Sequence, residues 1–167
     1  MSIAQTLLPE YDMEMDATRR VLALVPESQA TWKPHEKSFS LGSLAMHLHN
    51  FPTWGMFTIS RDSLDLTSPE ASTRVPFTTT DALLTSFDQG VTACRSMLAD
   101  TSDDAMHALW TLKHGERSLF SMPRIAVLRT SVFNHMVHHR GQMTVYLRML
   151  DVPLPDIYGP TADTLAS

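Results

Sequence analysis

The sequence predicts an all-α protein, a four-helix bundle with long crossover connections. Three observations predict it. Apolar residues recur every three or four positions in several segments, no segment alternates polar and apolar residues for long enough to make a confident strand, and Pro or Ser/Thr stands at the segment boundaries. With 167 residues, 43% of them hydrophobic, the chain is long enough to bury a full core, so one helical-bundle domain over residues 1–167 is expected.

The first helix is predicted to start at Pro9, a residue suited to the first helical position, and to end before Pro26, with Tyr11, Met15, Val21 and Leu22 as its apolar stripe. The second runs from near Ser40 to about Ser60. Pro52 should kink it, because the ring removes one backbone hydrogen bond and clashes with the preceding turn. Residues 61 to 79, rich in Ser, Thr, Pro and Asp, form a long connection. Thr80 then caps a third helix reaching about Ala99, whose Leu84, Phe87, Val91, Cys94 and Leu98 make a bundle seam. Cys94 is therefore a core residue, since an apolar site raises a thiol's pKa and leaves it inert. The stretch 101 to 121 stays open between irregular chain and a short hairpin around His114-Gly115-Glu116. Pro123 opens a fourth helix that ends near Asp151, ahead of Pro153 and Pro155.

Composition excludes several classes. The net charge of -5 leaves no basic stripe to neutralise phosphates, so nucleic acid is not an expected partner. No apolar run approaches the ~20 residues of a membrane helix, and MSIAQTLLPEYDMEMD lacks the basic start and apolar centre of a signal peptide. A soluble cytoplasmic protein without a membrane partner is expected. The single cysteine cannot form an internal disulfide.

The informative residues are histidines. In NHMVHHRGQ, residues 134 to 142, a helical wheel at about 100° per residue places His139 roughly 40° from His135, within an arc that also holds Leu128, Val132, Met136, Met143 and Tyr146. Arg140, Thr144 and Arg148 fall on the opposite side, which reads as the solvent face. His138 lies at the margin of the apolar arc, and Gln142 faces inward one turn on. On the second helix, His47 shares a face with Leu44, Phe51 and Trp54, while His49 points away. His35, His107 and His114 fall in predicted loops and read as solvated.

A lone histidine on an apolar face is most often a core residue held by one hydrogen bond. Three on two helices need a shared partner, because each unpaired ring nitrogen in a core costs roughly 1–3 kcal/mol. A divalent cation meets that need: the i, i+4 pair offers two nitrogens toward one point and the facing helix a third. Three protein ligands leave a position for water or substrate, whereas structural zinc usually takes four. Gln142 reads either as a group orienting His138 or His139 or as a polar contact at the bundle edge. Arg140 reads as pairing with an acidic residue such as Asp163, and Phe51 and Trp54 as core or pocket wall. There is no Ser-His-Asp order, no Gly-rich phosphate loop and no carboxylate close in sequence to the histidine pair to serve as general base.

The run NHMVHHRGQMTVYLRMLDVPLPDIYGPTAD, with LGSLAMHLHN upstream and WKPHEKSFS before it, resembles the DinB/YfiT-like family, also called the DinB superfamily. The resemblance covers most of the chain and is most specific in the C-terminal run, in its histidine spacing, the following Arg-Gly-Gln and the closing Tyr-Gly-Pro-x-Ala-Asp. It implies a four-helix bundle whose metal is bound by one histidine of the second helix and an H-x3-H pair of the fourth, here His47, His135 and His139. Zinc is the first choice of metal and nickel the second, since imidazole ligands suit both. The resemblance further implies a metal-dependent enzyme of thiol S-transferase or hydrolase type, acting on a small-molecule substrate with a low-molecular-weight thiol as one candidate, its catalytic residues unassigned. It also implies a homodimer. The alternative from a different class is a noncatalytic metal- or small-molecule-binding bundle in a stress response.

Overall fold

In the computed structural model, which describes residues 2–72 and 75–165, helix α1 (Ile3–Leu22) begins well ahead of Pro9. Ser2 starts it with a capping box: its hydroxyl accepts from the Gln5 backbone N–H (3.2 Å), and its own N–H donates back to the Gln5 side chain (3.0 Å). Pro9 thus sits inside α1 rather than at its start. The predicted second helix is two. Helix α2 (Leu41–His49), capped by Ser40, ends at Asn50, and α3 (Phe51–Ser60) begins there with Pro52 in its first turn. A proline costs least in a first turn, where its missing N–H has no helical partner, so the chain breaks instead of kinking.

The all-α expectation, and with it the pure four-helix bundle, fails in the connections. Strand β1 (Ser63–Asp65) and the short α4 (Pro69–Ser72) occupy the first; α5 (Thr80–Ala99), capped by Thr79 rather than Thr80, follows. Then come α6 (Asp103–His107), β2 (Leu109–His114) and β3 (Arg117–Pro123), the last two forming a hairpin with Gly115 at φ 59°. β2 pairs antiparallel with β3 and parallel with β1, giving a three-stranded mixed sheet in the order β1-β2-β3. Buried Trp110 and Leu64 join Val127 in a small second core beneath this sheet. Asp65 ties the layers together by accepting from the N–H groups of Thr67 and Gly115 (both 2.9 Å), bonds that hold its carboxyl below the usual range. The architecture is therefore a helical assembly with a small sheet at its side.

The main core lies between α1, α2, α3, α5 and α8 (His135–Met149); α1 packs on α5, and α3 on α5. Cys94 is buried in it, and burial pushes its thiol up to about 11. The α3–α5 contact is tight: a Cβ added at Gly55 would stand 2.7 Å from Cys94 Sγ. Gly55→Ala is expected to destabilise the protein by about 1–3 kcal/mol despite alanine's better helix propensity, because a short buried side chain cannot retreat. Thermal denaturation checks this, and adding Cys94→Ala should remove part of the loss.

The predicted fourth helix is in three parts: α7 (Arg124–Val127), a π-helical segment (Leu128–Asn134) and α8 (His135–Met149). Buried Arg124 fixes its start, donating to the carbonyls of Thr58 and Arg61 (both 3.0 Å) and to the Asp62 carboxylate (2.6 Å). The wider π turns upset a wheel drawn at one angle through all three parts. Within α8 the buried residues are Met136, His139, Arg140, Met143 and Leu147, an arc rotated roughly 40° from the predicted one toward Arg140. α8 stops where Asp151 turns left-handed (φ 58°) and the Val152 N–H returns to the Leu147 carbonyl at 3.0 Å. Among the described residues no helix is long and apolar enough to cross a membrane.

Candidate metal centre

α2 packs on the first turns of α8, and this contact brings the three predicted histidines together. His47, His135 and His139 each offer a ring nitrogen, and these nitrogens all lie within 4.8 Å of one another, a group that could hold a metal ion. The His47 ring stands edge-on to His139 with centroids 4.4 Å apart, and to His135 at 5.3 Å. Phe51, the first residue of α3, is buried against His135 at 5.0 Å and His47 at 5.2 Å, so the break at Asn50 also supplies a wall of the site. Phe39 stacks on His47 from the other side at 5.7 Å.

The nitrogens are oriented by groups behind them. His139 Nδ1 meets Gln142 Oε1 at 2.7 Å; as the amide oxygen accepts, Nδ1 carries the proton and Nε2 presents its lone pair. The Ser131 backbone hydrogen-bonds the His135 ring, in the π-helical segment that leads into α8. His135 Nε2 and His139 Nε2 then face each other at 2.9 Å. Burial lowers the pKa of both rings, and their mutual repulsion as cations lowers it further for His139. Neutral imidazoles aiming their ring nitrogens into one small space are the donor set a divalent cation requires.

His135 was expected inside the core, yet it is exposed, whereas His139 is only 9% exposed. The cluster therefore sits at the rim of the helix assembly, open on the His135 side. His138 is exposed and outside the group, with its ring 4.9 Å from that of His139. His49 does not join the triad; its Nε2 meets Ser86 Oγ at 2.6 Å. His35, His107 and His114 are exposed, although His107 ends α6 and His114 ends β2. A cleft of about 470 Å³ opens beside His47, and Trp54 lines it.

Arg140 reverses its predicted place. It is 1% exposed and donates to Glu14 Oε2 (2.6 Å), the Glu14 carbonyl (2.9 Å) and Thr18 Oγ1 (3.2 Å). Tyr158 closes the network, its hydroxyl contacting Arg140 and donating to the Glu14 carboxylate at 2.8 Å. Asp163 pairs instead with Arg148 and accepts from the Leu154 N–H, which pulls its carboxyl down to about 2. Arg140 thereby clamps α8 to α1, with neighbouring His139 turned toward α2. One signal could have revealed this: Glu14 stands beside Met15 and one turn from Tyr11 and Thr18 on the stripe of α1 that faces the core, where a carboxylate needs a cationic partner.

Comparison with known proteins agrees with this architecture. The model of the DinB family matches residues 1–166. A Bacillus subtilis (strain 168) protein called uncharacterized protein YrdA is 29% identical over 162 residues, covering 95% of this chain and 90% of its own. The crystal structure of a DinB-like protein from Bacillus cereus ATCC 10987 superposes with a TM-score of 0.70 at 22% identity, over 94% of this chain and 98% of the other. That of the DinB-like YjoA of Bacillus subtilis gives 0.70 at 17% identity, over 91% and 97%. These likenesses support a shared fold, and the family match along nearly the whole length means that the protein belongs to the DinB family.

Proposed function

We propose that the protein is a metal-dependent enzyme in which His47, His135 and His139 bind one divalent ion, zinc first and nickel second, and activate a low-molecular-weight thiol or water for reaction with a small-molecule electrophile. The observation that carries this reading is the convergence of three ring nitrogens within 4.8 Å, two of them with their tautomers set from behind. A divalent ion in such a site supplies Lewis acidity, lowering the pKa of a thiol or water toward neutrality. The chain's own residues do the rest. Gln142 and the Ser131 backbone hold two ligands in the orientation that keeps their lone pairs available, Phe39 and Phe51 pack against the His47 ring, and the exposed His135 leaves an approach. Three ligands leave coordination positions for a reactant.

The test is a screen of the zinc- or nickel-loaded protein against thiols paired with electrophiles. Saturable turnover that disappears in His139→Ala supports the reading; full metal occupancy with no turnover of any thiol or water reaction would reduce it to a binding protein. Metal loading should also depend on pH. Burial holds both His135 and His139 below the ordinary ~6.5, so at these two positions proton competition is delayed, and occupancy should fall as pH drops through the lowered pKa values. Equilibrium dialysis between pH 7 and pH 5 reads it directly.

A further inference from the structure

The segment that follows α8 has turns but no helix or strand, yet it is tied down along its length. Val152, Leu154 and Ile157 pack against the main core. The Asp156 carboxylate accepts from the Thr161 N–H (3.0 Å) and the Thr164 hydroxyl (2.6 Å), and the Leu154 carbonyl accepts from the Thr161 hydroxyl (3.0 Å), so the segment folds back on itself. Two of its groups reach α1: the Asp156 carbonyl accepts from Arg20 (2.6 Å), and the Tyr158 hydroxyl donates to Glu14 (2.8 Å). Two reach α8, Tyr158 touching Arg140 and Asp163 pairing with Arg148. The Arg-Gly-Gln of α8 and the closing Tyr-Gly-Pro-x-Ala-Asp, apart in the sequence, thus meet in a strap across two helices.

We infer that Tyr158 is a positioning residue for the metal centre: through Arg140 it sets the rotation of α8, and with it the aim of the His139 ring at His47. Packing alone defines that rotation poorly, because Met136 and Met143 on the buried face of α8 have unbranched side chains that adapt to many neighbours. The Arg140 guanidinium is a planar fork, and its bonds to the Glu14 carboxylate (2.6 Å), the Glu14 carbonyl (2.9 Å) and Thr18 (3.2 Å) fix its direction. Successive residues of a helix stand about 100° apart, so Arg140 held toward α1 leaves His139 facing α2. Tyr158 holds the fork in place, its hydroxyl on Arg140 and both Glu14 oxygens and its ring centre 5.2 Å from the guanidinium carbon. The effect on metal binding rests on the proposed function, whereas the aim of the ring can be read without metal.

Tyr158→Phe removes the hydroxyl and keeps the ring. Leu98→Val is the control for a purely structural loss: Leu98 is buried in α5, roughly three turns beyond Ser86, where α5 meets His49 of α2. In metal-free protein near neutral pH, long-range 1H–15N correlation should show His139 protonated on Nδ1 in the wild type and in Leu98→Val, and a mixture of tautomers in Tyr158→Phe. A group directly behind a ligand is worth ~10–100-fold in metal affinity, and Tyr158 acts one step further back, so Tyr158→Phe should weaken zinc binding at least about threefold in competition with a chromogenic chelator. It should also change the cobalt(II) d–d bands, which Leu98→Val leaves as they are. Asp163→Asn, in which the strap loses its pairing with Arg148, repeats the test in a folded chain if Tyr158→Phe does not fold. Zinc affinity and cobalt bands equal to those of the wild type in the folded strap variant would overturn the inference and leave the metal centre standing. A wild type that takes up no metal, but whose His139 tautomer responds to Tyr158→Phe, would keep the strap as the device that aims the ring and remove the metal centre.

Discussion

His139→Ala is expected to lower metal affinity by more than the ~10–100-fold that loss of a supporting group behind a ligand costs, while His138→Ala leaves metal content near that of the wild type. The two residues are neighbours with opposite environments. His139 is buried, its Nε2 faces that of His135 at 2.9 Å, and its Nδ1 is held by Gln142. His138 is exposed and lies outside the group of converging nitrogens. Removing His139 therefore takes away one of the three converging ring nitrogens, whereas removing His138 takes away only a ring packed against it. Metal analysis after dialysis against a weak chelator measures both variants; equal depletion would mean that α8 presents a different edge to α2.

The second large effect is on stability. Arg140→Met should destabilise the protein by about 3–5 kcal/mol, because the Glu14 carboxylate stays buried without its cation. For a chain of this length that corresponds to a fall in Tm of roughly 6–20 °C. The double variant Glu14→Leu/Arg140→Met should cost less than Arg140→Met alone, since it removes both charges from the interior. Thermal unfolding of the two variants side by side decides it. A loss below about 1 kcal/mol in the single variant, the range of exposed ion pairs, would show that Arg140 is solvated.

What could be read from the sequence was what is local and periodic. The predicted seam Leu84, Phe87, Val91, Cys94 and Leu98, of which Leu84 and Val91 are only partly buried, and the i, i+4 pair His135 and His139 repeat at helical spacing, so α5 and the histidine cluster were legible without any knowledge of partners. The sheet was not. β1 has three residues and gains its partner from β2, far along the chain, so neither length nor alternation announces it, and only Gly115 marked the hairpin. Arg140 was misplaced because a guanidinium reads as solvent-facing until its partner is known, and Glu14 lies 126 residues away. The same error shifted the buried arc of α8 and made His135 look more enclosed than it is. The start of α1 turned on Ser2 and Gln5, a capping signal in the sequence that Pro9 overshadowed.

The proposed centre holds one ion on His47, His135 and His139 with a position left open. X-ray absorption spectroscopy at the zinc edge, on protein loaded with one equivalent and freed of excess, tests it most directly. Three imidazole nitrogens at about 2.0–2.1 Å are expected together with at least one non-protein oxygen, with one imidazole contribution lost in His47→Ala. An unchanged imidazole count in His47→Ala, or a zinc shell without imidazole, would contradict it.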